Sequence, residues 1–339
     1  MYLRVFQQRT ATVAQGRRAR STNMLKIRLT LGASYAALLA CRSSEASTEP
    51  PTQQPGWTVG VPLPERLQEM HAAVLRGDIY LAGGFDSSAA ESRRAYRFVV
   101  AQNRWERIAD LPEPRHHMPL AVLNDTLYAV GGYMGGFGGR SNLWLYRADR
   151  NAWEPRAPLP TGRGASALGV VRGRLVVVGG VGPDRPRVDS AAIYDPATNS
   201  WRQGARIPTP RDHLAAGVVN DILYAIAGRN GPNYDVVEAY DLTSDRWMTR
   251  ARMPSLRGGL GAAVLNGRIH TFGGENPGVF ANHEVYDPAR DTWTTEAAMP
   301  TARHGLGVAV VGAKIYTIGG GPRAGFAQTN VVEIFAPND

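Results

Sequence analysis

Five arginines recur along the 339-residue chain at near-constant intervals: Arg115, Arg163, Arg211, Arg257 and Arg303, stepping by 48, 48, 46 and 46, with Arg66 one residue out of register ahead of them. Four of the seven histidines follow directly behind: His116, His117, His213 and His304. Glu69 holds the position that matches His117 and His213. Guanidiniums gathered round one opening would bind a carboxylate bidentately. The same arginines could instead cap backbone carbonyls or pair with an acid of a neighbouring repeat. Imidazoles beside a carboxylate can also hold a divalent metal. The matching positions in other repeats are Gly or Ala, however, and no short ligand spacing supports such a site. A polar lining, with no metal and no cofactor, is therefore expected.

Further candidates lie in the segments that vary most: FDSSAAES, YMGGFGGRSN, VGPDRPRVDS, RNGPNYDV, ENPGVFANHE and GPRAGFAQTN. These carry Glu275, Asn276, Asn282, His283 and Arg323. They also carry the aromatics Tyr133, Phe137, Tyr234, Phe280 and Phe326, which could stack on a sugar or anchor a peptide, or simply cover their own loops. His71 and His270 fall inside apolar runs and are expected to be packed side chains.

The elements that must position these residues repeat with the arginines. Trp57, Trp105, Trp153, Trp201, Trp247 and Trp293 step by 48, 48, 48, 46 and 46, and Gly84, Gly132, Gly180, Gly228, Gly274 and Gly320 keep the same intervals. A proline follows each of these tryptophans by seven residues, and an aromatic (Phe98, Tyr146, Tyr194, Tyr240, Tyr286) precedes five of them by seven. Self-similarity of this length marks a repeat architecture. Between the markers, apolar runs of four to six residues rich in Val, Ile, Leu and Tyr alternate with Arg-Gly, Asn-Asp and Asn-Gly turns, which argues for strands. Each unit supplies four; in the fifth they are expected near 260–266, 268–273, 281–286 and 292–296. The paired glycines allow positive φ and close approach of the next sheet. One unit has Ala227-Gly228 instead, so the second glycine is the stricter requirement.

Diglycine, Tyr-Asp and a spaced Trp, repeated six times over about 57–335, resemble the kelch repeat. The resemblance implies an all-β, six-bladed β-propeller, and the physics agrees: one such sheet cannot bury both faces, whereas a closed ring can. The sixth unit stops before any Trp, while the ordered part begins with Trp57 and Pro64. Residues 57–60 are therefore expected to be the outer strand of the last blade, zipped against 329–335.

In kelch domains similar to this one, arginines at matching positions line the channel mouth and hold acidic peptide side chains. On that basis the chain is expected to be a monomeric binding module, not an enzyme. Its ligand would be an acidic peptide, a protein segment or an acidic sugar on the loop face, held by Arg115, Arg163, Arg211, Arg257, Arg303, the histidines, Tyr133, Tyr234, Glu275, Asn282 and Arg323. The copper–radical chemistry of galactose oxidase, another kelch protein, needs a Cys crosslinked to a Tyr, and the single cysteine here, Cys41, lies outside the repeats. The alternative is a cofactor-free carbohydrate enzyme resembling a sialic-acid mutarotase, which needs only positioned polar groups.

Ahead of the repeats, the first 44 residues hold eight basic residues and no acidic one. The chain as a whole has 38 basic against 29 acidic residues, so 30 against 29 remain from Glu45 onward. The positive charge belongs to the leader, and the repeats give no electrostatic reason to expect nucleic acid. Within the leader, Met24-Leu-Lys-Ile-Arg and LTLGASYAALLA read as a charged and then an apolar signal segment too short to span a bilayer. LLAC resembles a bacterial lipobox, which would make Cys41 the lipidated end of a mature cell-envelope protein. Residues 42–56 would then be a flexible tether, and the lipid the only tie to a membrane. Ordinary secretion and an organellar transit peptide are the other readings of the segment.

Overall fold

The structure, a computed structural model, describes residues 56–337. Cys41 and the rest of the leader lie outside the described residues. Every strand runs antiparallel to its neighbours, and the strands form six separate four-stranded sheets. In blade 5 the strands are Gly261–Leu265, Arg268–Phe272, His283–Asp287 and Thr292–Thr295, counted from the channel outward. Among the described residues no helix is long and apolar enough to cross a membrane.

Ring closure is as expected. The last blade is Gly307–Val311, Lys314–Ile318 and Val332–Phe335, completed by Trp57–Val59 from the other end of the repeats. Trp57 pairs with Phe335, Thr58 with Ile334 and Val59 with Glu333. The zip continues past the strand, with Gly60, Leu63 and Leu67 donating to the carbonyls of Val332, Asn330 and Thr329.

No single core exists. Six apolar clusters lie between successive blades, such as Leu123, Val130, Leu145, Leu175, Val177 and Tyr194 between blades 2 and 3. Each outer-strand tryptophan belongs to such a layer, and its indole N–H donates to a carbonyl of the preceding blade junction. Trp105 reaches Val61 at 3.1 Å, Trp153 Ala109 at 2.9 Å, Trp201 Ala157 at 2.7 Å and Trp247 Ala205 at 3.1 Å. Trp293 reaches Ala251 at 3.0 Å, and Trp57 reaches Ala297 at 2.9 Å. A buried indole needs such a partner, which is why the tryptophan spacing equals the blade spacing.

The diglycines behave as two different positions. The first residue sits at φ between 55° and 74°, a left-handed conformation that Ala227 also adopts, whereas the second lies between 82° and 117°. Gly228, at φ 99°, would bring a Cβ within 2.7 Å of the Asp212 carbonyl oxygen. A Cβ at the first position would also meet a backbone oxygen, at 2.1 Å for Gly273, so it is φ, which at the second position lies beyond the left-handed region that Ala227 adopts, that makes the second the stricter one.

Candidate functional site

The repeated arginines do not line the mouth. Arg115, Arg211, Arg257 and Arg303 are 0 % exposed and Arg163 is 1 % exposed. Arg257 donates to Glu284 at 2.8 Å, Thr271 Oγ1 at 3.0 Å and the Gly273 carbonyl. Arg303 repeats this with Glu333 at 2.7 Å, Thr317 Oγ1 and the Gly319 carbonyl. Arg211 takes Glu238 at 2.5 Å and the carbonyls of Ala225 and Ala227. Arg115 is held by Glu113 and Asn142 and lies over the Trp144 ring at 4.8 Å. Arg163 has only backbone partners, the Ser190 carbonyl at 2.8 Å among them, and burial lowers its pKa to about 10. The ligand-binding role expected of these five is corrected to a structural one. Arg211, Arg257 and Arg303 each satisfy a carbonyl at the diglycine bend, of Ala227, Gly273 and Gly319, and all five guanidiniums are buried where a ligand at the surface does not reach them. Arg66 is exposed, and Leu67 takes the arginine's column in blade 1.

What does line the mouth is the next column, two residues on. Glu69, His117, Ala165, His213, Gly259 and Gly305 all have φ between 52° and 68°. Each amide donates to the carbonyl of its counterpart in the preceding blade: His117 to Glu69, Ala165 to His117, His213 to Ala165, Gly259 to His213, Gly305 to Gly259 and Glu69 to Gly305, at 2.7–3.1 Å. Six amides thus close a hydrogen-bonded circle around the channel. Left-handed backbone at four non-glycine positions is costly, and the closed circle is what holds it there. A second column pairs with the residue after each diglycine: Gln68 with Phe85, His116 with Tyr133, Gly164 with Val181, Asp212 with Arg229, Gly258 with Glu275 and His304 with Gly321.

The side chains of these columns form one network. Glu69 Oε2 lies 3.0 Å from His117 Nε2, and Glu69 Oε1 lies 3.4 Å from His304 Nε2. His304 Nε2 is 3.5 Å from Glu275 Oε2, and Arg229 Nη1 donates to Glu275 Oε1 at 2.7 Å. Asp212 accepts from His213 and pairs with Arg187. His116 Nδ1 lies 2.6 Å from His117 Nδ1, and its Nε2 is 3.1 Å from the Gly136 carbonyl. Burial, opposed by Glu91, lowers the pKa of His116 to about 4. Burial and the neighbouring imidazoles push His117 well below the usual imidazole range. Burial raises Glu275, but His304 and Arg229 outweigh it and hold its carboxyl below the usual range.

Proton counting constrains this cluster. The Gly136 oxygen only accepts, so His116 carries its proton on Nε2 and receives one from His117 on Nδ1. His117 Nε2 then faces a carboxylate with no proton of its own. That contact, His117 Nε2 to Glu69 Oε2, is 3.0 Å long. Beneath lies a cavity of about 30 Å³ walled by Glu69, His71, His117, Ser166 and His213, of the size of one water. Ser166 Oγ has no protein partner there. Above, Phe85 lies on His116 at 4.1 Å and meets Phe326 at 5.0 Å, while Phe137 packs against His116 and Tyr133.

The architecture is thereby matched residue for residue with the repeat that specifies it, and sequence comparison agrees. Residues 155–320 match the family model described as the KLHDC2/KLHL20/DRC7 Kelch-repeats domain, and residues 68–112 match the Kelch motif. The chain is a kelch-repeat β-propeller. Among solved structures, the one titled "Structure of YjhT" is similar, with a TM-score of 0.72 and 17 % identity over 83 % of this chain and 98 % of that chain. At that identity the likeness is one of fold. No curated protein matches the sequence.

Within this kelch propeller, Glu275, His116, His117, His213 and His304 meet at the mouth as a set, and Tyr133 is buried beneath them. Asn282 does not join them; its carbonyl and side chain brace Arg257 and Glu284. Nor does His283, which is 0 % exposed inside blade 5, stacked on Phe272 and 2.9 Å from His270. Arg211, Glu275 and His283 therefore do not meet in one pocket. Tyr234 is half-buried with its backbone tied to Gly228, and Arg323 is exposed with no ion pair among the described residues. Sequence reading missed Gln68, Asp212, Arg187 and Arg229. The column after the diglycine would have found the last, since Arg229 and Glu275 are its only charged members.

Proposed function

We propose that this chain is an exported, lipid-anchored kelch propeller that binds an acidic ligand, a sugar acid or an acidic peptide side chain, on the loop face over the channel. The observation that carries the reading is the pair Phe137 and Phe326, 42 % and 58 % exposed above the buried polar mouth. They share their loops with Arg140 and Arg323, both exposed and free of ion pairs among the described residues. Exposed rings flanked by free guanidiniums suit a ligand with an apolar face and a carboxylate. The cations are thus different from the buried ladder. Calorimetric titration with a sialic acid and with a poly-glutamate peptide tests this. Arg323→Ala and Phe326→Ala should each weaken binding about tenfold, and undiminished affinity in both would refute the site.

A second reading, a cofactor-free carbohydrate enzyme, is favoured by the contact of Glu69 with His117 at 3.0 Å, a carboxyl and an imidazole side by side at the mouth. Accelerated interconversion of sialic acid anomers, followed by proton NMR and lost in Glu69→Gln, would support it. Exchange at the uncatalysed rate leaves the binding reading alone.

A further inference from the structure

Four blade junctions share a device that the closure seam lacks. The amides of Ala109, Ala157, Ala205 and Ala251 donate to the side-chain oxygens of Asn151, Asn199, Asp245 and Asp291 at 2.7–3.0 Å. The same oxygens accept the hydroxyls of Tyr146, Tyr194, Tyr240 and Tyr286. At the seam between blades 5 and 6 the equivalents are Ala297 and Phe335, and the acceptor's column, two residues before Trp57, holds Pro55 in the sequence. Phe335 has no hydroxyl, proline offers no side-chain oxygen, and the Ala297 amide has no partner among the described residues. A cavity of about 540 Å³ opens at this place, walled by Arg268, His270, Glu296, Ala297 and Phe335, and shares no residue with the channel mouth.

The histidine pair behind it is polarised in one direction. The Ala297 carbonyl only accepts, so His283 Nδ1 donates to it at 3.3 Å. His283 Nε2 must then accept from His270 Nδ1 at 2.9 Å, because burial keeps both rings neutral. His270 Nε2 is left as a lone pair in the wall of the cavity. Among the described residues the seam therefore presents an amide N–H and an imidazole acceptor without partners.

We infer that this seam is a docking site for a side-chain carboxamide, that of an Asn or Gln on a partner peptide, its oxygen on the Ala297 amide and its NH₂ on His270 Nε2. A carboxylate could make the first contact but would set its second oxygen against the imidazole lone pair, with only Arg268 of the same wall to offset that repulsion. The test uses the 15N-labelled chain with N-acetyl-asparagine-N′-methylamide and its aspartate analogue as probes. The asparagine probe should shift the Ala297 amide saturably and leave the Ala251 amide, already held by Asp291, unmoved. The aspartate probe, and the asparagine probe on His270→Phe, should bind about tenfold more weakly. The comparison of probes needs no variant, so a misfolded His270→Phe would not rescue the idea. Equal response to both probes, or no shift, overturns it. So does an Ala297 amide protected from exchange without probe, which would mean that another part of the chain already fills the seam.

Discussion

A guanidinium repeated five times looks, in sequence, like a cation ring; in the fold it is a set of internal ties. Arg303→Ala should therefore lower stability by roughly 3–5 kcal/mol, because Glu333 would be left buried and unpaired, while affinity at the loop face is unchanged in whatever fraction remains folded. Denaturant titration of the single variant and of Arg303→Met/Glu333→Leu checks this, with the double variant recovering much of the loss. The histidines set a pH dependence. Burial holds His116 and His270 at about 4 and His283 at about 3, against 6.5 in a free imidazole. Below pH 6.5 the unfolded chain takes up protons that the folded chain refuses. Stability present above pH 6.5 is therefore lost as pH falls toward 4, by about 1.4 kcal/mol per unit for each such group. The melting temperature should drop steeply across that window, and less steeply in His270→Phe/His283→Phe. A flat profile from pH 7 to 4 would contradict the buried neutral rings.

The element that matters most is the three-residue strand Trp57–Val59. Trp57 is 2 % exposed, packs edge-on against Phe272 at 5.9 Å and donates its indole proton across the seam. Trp57→Ala should cost roughly 3–5 kcal/mol, read as a shift in the denaturation midpoint, although the residue sits at the very edge of the repeats. The bend elements make a sharper contrast. Gly228→Ala forces a side chain into φ 99° and against the Asp212 carbonyl, a cost of about 1–3 kcal/mol, whereas Ala227→Gly should stay within about 1 kcal/mol. Equal effects of the two would remove the distinction drawn between the two glycine columns.

At the scale of the whole molecule, the six sheets are scaffold, and the polar network over the channel is built from the columns that vary between blades. The proposed export and anchoring rest on the leader: Cys41→Ala should move the protein from the membrane pellet to the soluble fraction, and continued sedimentation with membranes would refute lipidation. The blades, the closing strand and the strictness of the second glycine were legible in the sequence. Each is a local requirement met again every 46 or 48 residues, so periodicity alone exposes it. The mouth was legible only in part. Its histidines and Glu69 stand in register, but Asp212 hides between a structural arginine and a mouth histidine, and Arg229 reaches Glu275 across 46 residues. Glu238 and Glu284 stand 27 residues after Arg211 and Arg257, yet Arg163 is buried with only backbone partners, so that interval does not by itself encode which way a blade-junction arginine turns. The sequence by itself determined how many wedges there are and how they close, because strand periods and turn residues act over a few positions. Only the tertiary structure decided which charges are spent inside a blade and which meet over the channel, because that is settled by burial and by contacts between residues brought together from all six blades.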